Sequence, residues 1–83
     1  MTDKVYIGRK SRYTGRVEYK DTKCGESWCG EVWVKNYPDR VWKFSKSGAK
    51  KIIQRYESYG WNWDYFVVPV DEFKYHGYNV DYT

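Results

Sequence analysis

The chain has no leucine and a single alanine, Ala49, among its 83 residues. Leucine is normally the default core filler, and alanine and leucine are the strongest helix formers. Without them a chain is pushed away from helical bundles and toward sheets, whose pleated surface suits β-branched and aromatic side chains. Nine Val, three Ile and three Phe are the only bulky side chains with no polar atom, Met1 aside. That is thin for a core, so some of the five Trp and ten Tyr must help fill it. Each ring can bury about 150–250 Å². The stretch YESYGWNWDYF at 56–66 gathers Tyr56, Tyr59, Trp61, Trp63, Tyr65 and Phe66, and most of these rings are expected in the core.

The length fits one domain, residues 1–83, with no internal repeat, linker or low-complexity stretch. KVYIG and RVEYK alternate in the manner of strands, separated by a basic loop, RKSRYTG. EVWVK and RVWKF flank NYPD, where Pro38 fixes φ for a type I turn, which predicts a second hairpin. In SKSGAKKIIQRYESYG, Ala49, Ile52, Ile53, Tyr56 and Tyr59 make one helical stripe, with Ser45 or Ser47 to cap it and Gly60 to stop it. WNWDYFVVPV returns as a strand whose Pro69 marks an edge or an end. DEFKYHGYNVDYT reads as a turn with a short final strand at YNVDY. The expected fold class is α+β: an antiparallel sheet of four to six strands with one amphipathic helix on one face, in the order β-β-β-β-α-β.

Period-two alternation then sorts the side chains. Val5, Ile7, Val17, Tyr19, Val32, Val34, Trp42 and Phe44 form the layer under the helix, met by Ile52, Ile53 and Tyr56. Either Trp63, Tyr65 and Val67 or Phe66 and Val68 complete it. The other face keeps Lys4, Tyr6, Arg16, Lys20, Trp33, Lys35 and Lys43, tempered by Glu18 and Glu31. Two rings among several cations is how a sheet stacks bases and neutralises phosphates, and also how a half-wet antiparallel sheet commonly looks. Arg9, Lys10, Arg12, Tyr13 and Trp28 are further contact candidates in loops. The helix N-terminus, with Ser45, Lys46, Ser47, Gly48, Lys50 and Lys51, offers free N–H groups and a positive dipole end to an anion.

Residues 1–55 carry fourteen Lys/Arg against six Asp/Glu, and residues 56–83 one Lys against five acids. The basic portion suits an anionic partner; the two halves also attract one another. No nucleophile elbow, Walker loop or dinucleotide fingerprint is present, and no catalytic residue is assigned. His76 is the only histidine, and Cys24 and Cys29 lack metal or redox spacing, so neither a metal nor a cofactor is expected. MTDKVYIGRK has no apolar segment of the kind that opens a signal peptide, and YFVVPV is too short to span a bilayer. A cytoplasmic protein with reduced thiols and no membrane association is the expectation.

The segment from Val41 to Val70, with VWKFS, AKKIIQRY and YFVVPV, resembles a strand–helix–strand unit common in short phage-encoded accessory proteins, as does the composition. The resemblance implies stoichiometric action on host machinery, in the host cytoplasm if the chain is phage-encoded; a monomer or small homo-oligomer is expected. Three partner classes follow: a host defence or nucleic-acid-processing protein held by an anti-CRISPR-like inhibitor, a nucleotide signal held by a sponge, or nucleic acid held on the basic sheet face.

Overall fold

The computed structural model of the chain describes residues 4–23, 25–31, 34 and 40–73. Five strands form an antiparallel sheet: β1 (Lys4–Ser11), β2 (Val17–Lys20), β3 (Trp28–Gly30), β4 (Phe44–Ser45) and β5 (Trp63–Pro69). Helix α1 (Lys46–Ser58) lies between β4 and β5, and a short helix α2 (Val70–Phe73) follows. The expected class and element order hold, but two of the strands sit elsewhere in the sequence. β3 forms around Cys29, ahead of EVWVK, and Glu31 and Val34 of EVWVK have helical backbone. Only Phe44 and Ser45 of the RVWKF region pair. The NYPD turn, Cys24, His76 and YNVDY lie outside the described residues.

β1 is the axis. It bonds β5 along one side, from Val5↔Pro69 to Ser11↔Trp63. Along the other it bonds β4 at Lys4↔Ser45 and Val5↔Phe44, then β2 at Gly8↔Tyr19 through Lys10↔Val17; β3 continues outward from β2. β1 runs further than expected, so Arg9 and Lys10 are strand residues, and the turn tightens to Arg12–Arg16 with Gly15 at φ 75°. Pro69 falls at the end of β5, where its missing N–H breaks no ladder.

The helix obeys its stripe as far as Tyr56. Tyr59, expected on the same stripe, is the C-cap and stands exposed, as does Trp61, because the helix ends before either ring can turn inward. Ser45 caps it, its Oγ accepting the Gly48 N–H at 3.1 Å. Ala49 and Tyr56 are buried and Ile52 and Ile53 half-buried. Gly60 follows at φ 72°, a left-handed geometry that favours glycine. Under α1, Val5, Ile7, Phe44 and Ala49 make one core; such side chains stabilise by about 1.5–3 kcal/mol each when fully buried, alanine excepted.

A second core fills the opposite face: Tyr6, Tyr19, Cys29, Val34 and Val41, flanked by Val17, Phe66, Val68 and Val70. β1 is therefore buried on both sides, with Val5, Tyr6, Ile7 and Gly8 all inside. This overturns the expected wet sheet face. Val34 and Val41 bring the chain across it, so Val17, Tyr19 and Val34 belong to this face and not to the layer beneath α1. β5 serves both layers, Trp63 and Tyr65 toward the helix, Phe66 and Val68 toward the second core.

Candidate ligand-binding site

Beyond the two cores, the helix face of the sheet continues into a cluster of rings and cations. Arg9 lies between two indoles, its guanidinium carbon 4.2 Å from the Trp28 ring centroid and 3.8 Å from that of Trp63. Its Nε and Nη2 donate to Glu18 Oε1 at 2.9 and 2.7 Å. Arg16 reaches the other Glu18 oxygen at 3.5 Å from solvent. Lys20 is 1% exposed, its ammonium 5.4 Å from the Trp28 centroid and 5.6 Å from that of Tyr56. It donates to Tyr56 Oη at 3.2 Å and to the Gly25 carbonyl. Tyr56 in turn stacks on Tyr65, with centroids 5.4 Å apart and planes at 21°.

Burial pushes the Tyr56 hydroxyl up to about 12, with the Glu26 carboxylate adding to it. Burial also raises Tyr65, opposed in part by the Arg9 guanidinium. These are the energetics of a closed cluster whose cations are already paired with rings and oxygens. Three expectations are corrected accordingly. Tyr6, 5% exposed, belongs to the second core. Lys20 is drawn inward because Trp28, Tyr56 and a carbonyl solvate its ammonium. Arg9 and Trp28 are not loop contacts but halves of a stacked pair on β1 and β3, reaching over β2 between them. Trp33 and Lys35 lie outside the described residues.

The remaining candidates reach solvent but are dispersed. Tyr13 stands on the β1–β2 turn, 79% exposed, and Lys10 is exposed on β1. Arg12 pairs with Asp64 at 2.9 Å. Cys29 is a free, buried thiol whose Sγ lies 3.5 Å from the Tyr19 carbonyl; burial, then Asp21, pushes it up to about 11. A thiol so raised is inert as a nucleophile near neutral pH. Among the described residues no group of three or more His, Cys, Asp or Glu is placed to hold a metal. No helix among them is long and apolar enough to cross a membrane.

The described residues include a concave basic site, and it is built around a residue expected in the core. Trp42 is 45% exposed. Its backbone N–H bonds the Lys20 carbonyl at 3.2 Å, while Val41 takes the interior position beside it. Strand pairing begins only at Phe44, so alternation does not extend back to Trp42. The indole lines a cleft of about 470 Å³ together with Lys4, Lys23, Lys43 and the capped start of α1 at Ser45 and Gly48, over a floor of Phe44 and Ile52. Every charge in that lining is positive. The first helical turn carries no acid; Lys46, Ser47, Lys50 and Lys51 stand exposed on α1 nearby. Of the residues read from the sequence as contact candidates, the fold thus brings together Lys4, Lys43, Ser45 and Gly48. Lys23 was missed, because nothing in DTKC ties it to the helix start some twenty positions along.

Comparison with protein-family models, curated proteins and solved structures returns no match to this chain.

Proposed function

We infer that the protein is a non-enzymatic binder that sequesters a nucleotide in the Trp42 cleft. One observation carries this: a half-exposed indole faces a concave site whose charged lining is lysine alone. An indole offers a stacking surface to any base, worth about 1–3 kcal/mol. Lysines and the unpaired N–H groups of a helix start suit phosphate. The arrangement supplies recognition without a nucleophile or general base, which fits capture rather than turnover. A nucleotide-signal sponge is the corresponding role among phage-type accessory proteins.

Calorimetric titration with ATP, adenosine and pyrophosphate tests it. ATP is expected to bind at roughly 10–100 μM, with each fragment weaker, because ring and phosphate contacts are separate. Trp42→Ala should keep the fold, since the ring is exposed, and weaken ATP about 5- to 100-fold. No binding of ATP, or equal binding by W42A, overturns the reading.

A second reading, a stoichiometric inhibitor of a host protein, is favoured by the exposed Tyr59 and Trp61, whose ring centroids lie 4.8 Å apart at the end of α1. Paired exposed aromatics are typical interface anchors. A protein retained from nuclease-treated bacterial lysate by the wild type and lost by Tyr59→Ala/Trp61→Ala supports it; retention by both contradicts it. The sheet face offered to nucleic acid is, in the described residues, largely covered by the second core.

A further inference from the structure

β5 has β1 on one side, and among the described residues no strand bonds its other side. Free strand edges are usually blunted by charge, proline or a bulge. Here Asp64 and Pro69 stand near the ends, and Tyr65, Phe66, Val67 and Val68 between them carry no charge. Val67 is 45% exposed. Beside this edge runs a groove of about 550 Å³ between β5 and α1, with Ile53, Val67 and Pro69 among its apolar lining. Lys46, Lys50 and Glu57 supply its charges.

The direction of those charges selects the occupant. Val5 pairs with both Phe44 and Pro69, which sets the start of α1 near the Pro69 end of β5. The Tyr56–Tyr65 stack sets the end of α1 toward the other end. The groove therefore runs from basic, at Lys46 and Lys50, to acidic, at Glu57. An antiparallel strand laid on β5 brings its own Pro69 end against the Trp63 end. If that strand is a second β5, Lys46 and Lys50 face the partner's Glu57, and the reverse holds by symmetry. A parallel copy would set lysine against lysine.

We propose that two copies of this chain associate through antiparallel β5–β5 pairing about a two-fold axis, joining their sheets into one. Sedimentation equilibrium of the full chain between about 1 and 100 μM tests this, that range bracketing modest dimer affinities. The 10.1 kDa chain should approach twice its mass as concentration rises. Val67→Lys should remain monomeric with an unchanged circular dichroism spectrum. Lys46→Glu/Lys50→Glu, on the exposed helix surface, should weaken association about tenfold, the effect of two partly exposed ion pairs in each symmetric half. Adding Glu57→Lys should restore it, because the reversed charges are again complementary. A monomer throughout, or a double reversal that dimerises as tightly as the wild type, overturns the proposal. Val67 lies outside the Trp42 cleft, so Val67→Lys separates this association from ligand binding there: loss of the dimer with ATP binding kept fails only the one reading, and the reverse only the other.

Discussion

Gly8 sits in the middle of β1 with Tyr19 paired on one side and Phe66 on the other. Those two rings meet edge to face, centroids 6.0 Å apart and planes at 85°. A Cβ on residue 8 would lie 2.5 Å from both Cε2 and Cζ of Phe66. Carbon atoms prefer about 3.5–4.0 Å, so the Phe66 ring must retreat by about 1 Å. Gly8→Ala lowers the conformational entropy of the unfolded chain and improves strand preference, a gain of about 0.5–1 kcal/mol. Overpacking of this severity costs about 1–3 kcal/mol, so the clash wins and G8A should lose about 0.5–2 kcal/mol. For a domain of this size each kcal/mol lowers Tm by about 4–8 °C. Phe66→Ala, at a partly buried site, should cost about 2–3 kcal/mol, below the range for fully buried phenylalanine. The double variant G8A/F66A should be no less stable than F66A, because the ring that the new methyl strikes is gone. Urea unfolding followed by circular dichroism measures all four corners of the cycle. G8A at wild-type stability or above, or two losses that simply add, would refute the packing argument.

Arg9→Lys keeps the charge but loses the planar fork between two indoles, and should cost about 1–2 kcal/mol in urea unfolding; an unchanged midpoint contradicts the sandwich. Ser45→Ala removes the helix cap and should cost about 1 kcal/mol, measured the same way, with Ser45→Gly closer to wild type. Cys29 is raised from 9.0 to about 11 and Tyr56 from 10.0 to about 12, so folding favours both neutral forms. Their stabilisation is complete below pH 9 and is lost as pH climbs through 11 and 12; urea midpoints should begin to fall above pH 9, and a flat profile to pH 11 contradicts this. With Trp42→Ala, these variants probe the sheet, the ring cluster, the helix and the cleft separately.

The helix was legible from its cap to Tyr56, Tyr59 alone of its stripe lying outside the core. Its stripe, cap and stop are local, and local chemistry decides them: Ser45 caps, Ala49 is enclosed, and Gly60 takes a positive φ. The class of fold was legible too, because a chain without leucine has few other ways to build a core. The third strand was not. EVWVK alternates as a strand should, yet pairing falls to Trp28–Gly30, whose partners Glu18, Tyr19 and Lys20 are fixed only once β2 is in place. The two-sided burial of β1 was hidden for a related reason. KVYIG reads as one apolar and one polar face, and whether Tyr6 is inside depends on Val34 and Val41 arriving from far along the chain. Trp42 was misplaced for want of a strand beneath it. Lys20 shows the limit of residue type as a guide, since a lysine enters a protein when rings and carbonyls replace its water.

The central claim is that Trp42 and the lysines around it form the ligand site, and residue-resolved NMR tests it most directly. A ¹⁵N-labelled sample titrated with ATP reports all five indole N–H signals and the amides of α1. The account predicts saturable shifts of the Trp42 indole and of the Lys46, Ser47 and Gly48 amides, with the Trp28 and Trp63 indoles unmoved in their stack on Arg9. Shifts centred on Trp61 and Tyr59, or none at all, would contradict it.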